Sequence, residues 1–545
     1  MPTTTIPLAG NPTLRAYGDI TADKDQRFSA CFFEESPSPL TQEKPIYVSK
    51  RAGYASLATP ATGQAGNNVF YSTSLDRVFG SFDGSGSTSD IYRSTQGGTT
   101  TSLGAATGTI THISEAIVNN ATRIMFTSSD GTGWYFSSDA AGNTAYTADG
   151  NNSTTITDIK ISGVNDVSGL HVGQLLTAAT NIVAGSRIVS INAGAFSAVL
   201  DTATTGGAFN DLPITKTPLA KIIDTDFPTT IIGEFAQLNG YTYIMTTDGN
   251  IYNSDLNSIV SWNPASLALA NSYPDVGRGV IRYKNMIAAF GSSSVEFFYH
   301  SSNATFGSPL MRSQESISNV GAKLNVSRVL YGSGHGTIFF VAEDYNFYAL
   351  DGFSARKLTE SPFGSQLIPA GVWPFSTERK RFVDLPNSLG LSRRFDFDTG
   401  MFTFVGGDDR YFTTGNGTCY AVVDDDTGKF YILNTSSTAV FQDNGVAYSM
   451  EIQTIPYSLN GGKGFTINEA VLLADIEASG TATLATSADD FGAFVTKGTF
   501  DMTAQKKEIH RVGYYKSNCA FRITHSANTK FRAQALVIDW EPAAT

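Results

Sequence analysis

The chain has 545 residues, of which 16 % are charged, 41 % hydrophobic and 12 % aromatic, with 52 glycines. Charge at that level lies well below the roughly 25 % of ordinary soluble domains, so Thr, Ser, Asn and Gly carry the polar surface; neither intrinsic disorder nor coiled coil is the dominant state. The 37 basic and 49 acidic residues give a net charge of −12, which excludes a protein that grips nucleic acid by neutralising phosphates but not one that DNA passes by.

The start, Met1-Pro-Thr-Thr-Thr-Ile-Pro-Leu8, lacks a basic stretch followed by an apolar one, and no window approaches eighteen apolar residues. A soluble product made in a cytoplasm is expected. Further on, Asn68-Val-Phe-Tyr-Ser-Thr-Ser-Leu-Asp-Arg-Val-Phe79 reads as two strands and a turn. Residues 97–217 are rich in Thr, Ser, Ala and Gly and poor in charge; within them Val167–Thr177, Ala184–Ile191 and Ala198–Asp201 have the rhythm of a compact β-module. They resemble small β-domains that recur in phage structural proteins, and an insertion between propeller blades is expected there.

Next come three units of one plan, strand, turn, strand: Tyr241–Tyr252, Lys284–Tyr299 and Gly336–Gly352. Their spacing of about 40–55 residues is that of four-stranded propeller blades, whose radial closure leaves only short strand edges. Arg394–Val405 and Ala421–Leu433 are hairpins around Asp-Thr-Gly turns. The alternating segment from Tyr448 to Glu541 has the length of a separate β-sandwich. Helical periodicity is weak even in its best stretches, Asn257–Ala270 and Asn468–Ile476. The expected fold is therefore all-β: a propeller-like core with an inserted small β-domain and a C-terminal β-sandwich. The expected divisions are 1–96 (N-terminal arm and first propeller strands), 97–217 (insertion), 218–447 (blades) and 448–545 (sandwich).

Catalytic patterns do not appear. There is no Walker loop, Rossmann fingerprint, nucleophile elbow or His-Glu-x-x-His, and the histidines (112, 171, 300, 335, 510, 525) are scattered singly. No enzyme activity, cofactor or resident metal is expected. Cys31, Cys419 and Cys519 are distant and odd in number, and read as buried small hydrophobes. Ser128-Ser-Asp-Gly-Thr-Gly-Trp134 approaches the Asp-box turn of sialidase-like propellers, a structural turn, with Thr132 where that turn has Gly. Asp83–Asp90 and Asp424–Gly428 hold oxygen ligands of the kind Ca²⁺ takes, but at spacings that read as strand turns. Asp408, Asp409, Asp424, Asp425 and Asp426 sit at or beside turns. Repeated around a channel, they would form a negative ring that keeps DNA from sticking.

Several stretches together resemble one family, the tail nozzle or head–tail hub of short-tailed bacteriophages, known also as packaged DNA stabilisation or tail tubular B-type proteins. Gln26–Glu34 and Tyr47-Val-Ser-Lys-Arg-Ala-Gly-Tyr54 are similar to its opening, with Ala52 where the family has Pro. Gly279–Phe298 resembles the blade in which an apolar strand ends in Phe-Gly and a Ser turn leads to Val-Glu-Phe-Phe. Arg511–Gly513, Ala520–Ile523 and Ala535–Glu541 look like its closing sandwich strands. The resemblance implies a virion tail subunit, made in the host cytoplasm, that forms a homohexamer beneath the portal and tail adaptor proteins. That ring would hold packaged double-stranded DNA and conduct it at ejection without sequence-specific binding. Tail fibres and the host outer membrane are further partners left open for the inserted module. The rival reading is a phage receptor-binding or glycan-degrading tail protein, whose aromatic-rich turns would form a sugar platform.

Overall fold

Tight turns with left-handed residues set the strand spacing. Asn239 and Gly240 take φ of 52° and 81° between Ile231–Leu238 and Tyr241–Thr246, the paired positive values of a type I′ turn, whose twist matches that of the flanking strands. The computed structural model describes residues 2–9, 27–35, 46–141, 145–273, 275–301, 307–323, 329–332, 335–344, 346–359, 372–377, 380–385, 392–405, 410–433, 441–488 and 491–543. Among them the only helical turn is the 3-10 turn Ser138–Ala141.

Seven four-stranded blades follow among the described residues. Blade 1 is Gly66–Ser72, Arg77–Asp83, Thr88–Ser94 and Thr100–Thr107; blade 2 is Ile110–Val118, Ala121–Ser128, Gly133–Ser137 and the end of Ala208–Lys221. Blade 3 is Ile231–Leu238, Tyr241–Thr246, Asn250–Ser254 and Trp262–Leu269; blade 4 is Gly277–Tyr283, Met286–Gly291, Val295–His300 and Leu310–Ser318. Blade 5 is Val329–Gly332, His335–Val341, Phe347–Asp351 and Ser354–Thr359; blade 6 is Trp373–Thr377, Lys380–Leu385, Arg393–Asp396 and Met401–Phe404. Blade 7 takes Arg410–Gly415, Thr418–Val423 and Phe430–Leu433 from one end of the chain and its outer strand, Tyr54–Ala58, from the other. That early strand closes the ring.

The aromatic residues form the contacts between blades. Ring pairs bridge blades 1 and 2 (Phe79–Phe136, 5.8 Å), 4 and 5 (Phe290–Phe340, 5.3 Å), 5 and 6 (Phe347–Phe395, 5.3 Å), 6 and 7 (Phe375–Phe412, 4.6 Å) and 7 and 1 (Tyr71–Tyr420, 5.7 Å). Each such pair is worth about 0.5–1.5 kcal/mol beyond its buried area. First strands of successive blades, from blade 5 round to blade 4, lie against one another around the axis.

The sandwich is built from both ends of the chain. One sheet runs Cys31–Glu35, Ile46–Lys50, Arg532–Pro542, Phe465–Ala474, Lys507–Tyr515, with Thr3–Pro7 on Arg532–Pro542. The other runs Arg27–Ser29, Met450–Gln453, Ala520–His525, Thr481–Ser487, Val495–Asp501, and joins blade 6 through the parallel contact Ser29↔Phe404. Phe28, Phe33, Ile452, Phe465, Phe500, Phe521 and Ile538 fill the space between them.

Three expectations are revised. Residues 97–137 are not part of the insertion, because Thr100–Thr107 and the strands from Ile110 to Ser137 complete blades 1 and 2. The module also interrupts blade 2 rather than separating two blades. The 14-residue strand Ala208–Lys221 pairs with Gly133–Ser137 at its end and with Ala145–Asn151 along its start, so one strand serves both bodies. Within 1–96, Thr3–Pro7, Arg27–Glu35 and Ile46–Lys50 belong to the sandwich, and Tyr54–Ala58 to blade 7. Alternation reveals that such segments are strands but not which distant strand they pair with. The stretches Asn257–Ala270 and Asn468–Ile476 are largely strand (Trp262–Leu269, Phe465–Ala474).

The module has its own core of Tyr146, Ile156, Ile159, Leu176, Ile188, Leu200 and Ile214. Its sheet runs from Ala208–Lys221 through Ala145–Asn151, Thr155–Ile161, Ser197–Leu200 and Ile188–Asn192. It curls back through the Leu175↔Arg187 bridge to Gln174–Ala178, which pairs with Ala208–Lys221 again, the topology of a small barrel.

Candidate functional site

Asp424, Asp425 and Asp426 form the turn between the second and third strands of blade 7; Asp424 and Asp426 are exposed and Asp425 half-buried. Asp425 Oδ1 accepts from the Thr427 amide (3.1 Å) and hydroxyl (2.6 Å), and Oδ2 from the Tyr431 hydroxyl (3.3 Å). The turn is held against the chain start of blade 7, where Ala61 donates to the Gly428 carbonyl (3.2 Å). Residue 428 must be glycine, since a Cβ there would lie 1.7 Å from the Ala61 carbonyl oxygen. Asp408 and Asp409 lie outside the described residues.

In a propeller the turns between second and third strands share one face with the links between blades. That face is acidic well beyond the residues the sequence singled out. Asp83 (blade 1), Asp130 (blade 2), Asp248 (blade 3) and Asp344 (blade 5) occupy the equivalent turn and are exposed. Blade 4 places Asp275 there from the preceding link, accepting from the Ser293 amide (2.9 Å) and from the hydroxyls of Ser293 (2.9 Å) and Ser294 (3.1 Å). The signal was present as Asp-Gly or Asp-x-Asn after an apolar strand, but it reads as turn chemistry alone until radial repetition gathers the copies. The carboxylates of Asp130, Asp248, Asp275, Asp344 and Asp425 each brace their own turn. At Asp130 burial acts to raise the carboxyl, yet hydrogen bonds from Thr107, Thr132 and Ser128 hold it below its usual range. Asp344 behaves alike, with Asn346 and Tyr348 as donors. The Ser128–Trp134 segment closes such a turn: Asp130 Oδ1 accepts from the Thr132 amide (3.0 Å), and Trp134 Nε1 donates to the Thr132 hydroxyl (2.9 Å).

Along the axis, the first strands enclose a cavity of about 550 Å³ lined by Phe70, Glu115, Glu234, Arg282, Phe375 and Asn416 among others.

Two groups of metal-ligating side chains occur among the described residues, Asp149–Asp158–Asp211 and Glu469–Glu508–His510. A lysine already sits in each: Lys160 on Asp158 and Asp211, and Lys506 on Glu469 and Glu508. In the second, His510 turns Nδ1 to Glu469 (3.9 Å) and Nε2 to Glu508 (3.6 Å), two directions that one ion cannot share. The three cysteines are free and buried, and burial pushes the Cys519 thiol up to about 12, the inert state of a packing residue.

Residues 174–325 match the family model described as Bacteriophage P22 Gp10, beta-propeller. That span covers part of the inserted module, the last strand of blade 2 and the whole of blades 3 and 4. No curated protein matches the chain. Among solved structures, a chain of "Crystal Structure of Mitotic Checkpoint Complex" is similar at 9 % identity and a TM-score of 0.38, over 73 % of this chain and 95 % of that one; so slight a likeness bears on nothing further. Together the all-β blades and the family match support a phage virion structural protein carrying a β-propeller.

Proposed function

We propose that this chain is the tail nozzle subunit of a short-tailed phage, a structural rather than catalytic protein that assembles as a homohexamer beneath the portal and adaptor, retains packaged DNA and conducts it at ejection. The observation that carries the reading is the match of residues 174–325 to the P22 Gp10 propeller model. The acidic face agrees with it. Duplex DNA carries about one charge per 1.7 Å, so a lumen bordered by Asp83, Asp130, Asp248, Asp344 and Asp424–Asp426 would repel phosphate and let DNA slide. A small axial cavity in each propeller favours a conduit between copies, which is why a ring is part of the proposal.

A cryo-EM reconstruction of the particle tests it. The expected result is a sixfold ring on the tail axis with the acidic turns toward the lumen; trimers at the periphery would overturn it in favour of receptor binding. Replacing Asp424, Asp425 and Asp426 together with Lys is expected to slow or trap DNA ejection, measured by dye release from triggered particles. Unchanged kinetics would remove those residues from the lumen.

A further inference from the structure

An outer propeller strand exposes a row of backbone N–H and C=O groups to which any passing strand can pair. Three of the seven blades here have that edge covered. Blade 2 is covered at Ala220 and Lys221 by Gln174 and Gly173, blade 6 at Phe404 by Ser29 and Ala30, and blade 7 in part by the Asn444 amide, which donates to the Tyr54 carbonyl (2.9 Å). Others carry residues that discourage pairing: Pro264 on blade 3, Arg312 on blade 4, Arg356 and Lys357 on blade 5.

Blade 1 has none of these. Its outer strand, Thr100-Thr-Ser-Leu-Gly-Ala-Ala-Thr107, holds neither charge nor proline. Leu103 and Ala106 are buried in the core shared with blade 2, which anchors the strand, while Thr101, Ser102, Ala105 and Thr107 are exposed. It ends its sheet, and between Thr101 and Ala106 no described backbone group outside the sheet bonds to it.

We propose that Thr100–Thr107 is a strand-addition site, filled in the particle by an uncharged, proline-free extended segment of another virion protein. The inference rests on the chain being a virion component. The chain itself shows what such an occupant looks like: Gln174-Leu-Leu-Thr-Ala178, which adds to the free edge of the strand that blade 2 shares with the module, carries no charge or proline. Main-chain pairing supplies the affinity, and alternate side chains the selectivity. The same edge of a second copy is a poor occupant. The register shifts between Ile91 and Tyr92, leaving Leu103 as an extra residue beside Gly104 at φ 120°, and a two-fold pairing would set bulge against bulge.

Hydrogen exchange of residues 101–106, compared between the isolated chain and intact particles, tests this. Exchange is expected to slow by roughly tenfold or more in the particle, with a fifth strand of a different polypeptide beside blade 1 in the reconstruction. The double variant Ser102→Lys and Ala105→Lys changes only exposed positions; it is expected to melt like the parent yet fail to be retained in particles. Equal exchange in both states, retention of the variant at parental levels, or a second copy of this chain on the edge would each overturn the inference. An axial ring with a bare blade 1 edge would sink this inference alone, whereas a peripheral trimer with the edge paired would sink only the nozzle reading.

Discussion

The sandwich and the inserted module are both attached to the propeller by two chain crossings, but their seams differ. At the sandwich seam, buried arginines are paired with carboxylates. Arg51 donates twice to Asp443 (2.8 and 2.5 Å) and lies between the rings of Tyr448 (4.0 Å) and Tyr54 (5.1 Å). Close by in blade 6, Arg394 donates twice to Asp384 (2.7 and 2.8 Å) against the Phe375 ring, both side chains being 4 % exposed. At the module seam the hub is Asp139, 49 % exposed, which takes Arg123 (2.7 Å) and His171 (2.9 Å). The first seam ties two bodies into one through groups that cannot be left alone. The second relies on the continuous strand Ala208–Lys221, with polar contacts that water can replace.

The largest expected effect follows from that contrast. Arg394→Met leaves the Asp384 carboxylate buried without its partner and is expected to cost about 3–5 kcal/mol, whereas Arg394→Met with Asp384→Leu recovers most of the loss. Urea midpoints of the three proteins decide it; equal midpoints for parent and single variant would mean the pair contributes nothing. Arg123→Ala, at the exposed hub, is expected to cost about 1 kcal/mol or less, read as faster hydrogen exchange within 145–217 and unchanged exchange in the sandwich.

Acid sharpens the comparison. Burial pushes His525 in the sandwich and His171 at the module seam down to about 4, from about 6.5 in an unfolded chain. Between those values the unfolded state binds more protons, so stability is full above pH 6.5, falls as pH drops towards 4, and loses nothing further from these groups below that. Each contributes a slope of at most about 1.4 kcal/mol per pH unit. Melting curves from pH 7 to pH 4.5 are expected to show the decline, and His525→Gln to flatten the sandwich share. A decline as steep in His525→Gln as in the parent would assign it to other groups.

Much of this architecture was legible locally. Polar turn residues between alternating apolar runs (Asp248-Gly249, Ser292–Ser294 and Asp344–Asn346) marked the hairpins at Tyr241–Tyr252, Lys284–Tyr299 and Gly336–Gly352, and each proved to be the middle of a blade. What could not be read were pairings across long loops. Nothing in Tyr54-Ala-Ser-Leu-Ala58 says that it will close blade 7 against Phe430–Leu433, nor that Thr3–Pro7 will lie on Arg532–Pro542. Of the proposed lumen residues, Asp424–Asp426 stood out because they are consecutive. Asp248 and Asp344 did not, and Asp83 and Asp130 drew notice only as turn residues, since a single acid in a turn carries no sign of the face it will share.

The smallest expected effect separates buried hydroxyls that bond from those that do not. Tyr135, at the module seam, donates to the Val172 carbonyl (2.5 Å), while the Tyr243 hydroxyl, between blades 3 and 4, has no hydrogen-bond partner among the described residues although its side chain is fully buried. A buried donor without a partner forfeits its bonds to water with no return. Removing the oxygen should therefore act in opposite senses at the two sites. Tyr135→Phe is expected to cost about 0.5–1.5 kcal/mol, and Tyr243→Phe to be neutral or stabilising by up to about 1 kcal/mol. Paired thermal melts measure both; a loss at Tyr243→Phe matching that at Tyr135→Phe would place a bound water on the Tyr243 hydroxyl, because only an acceptor there makes the oxygen worth keeping.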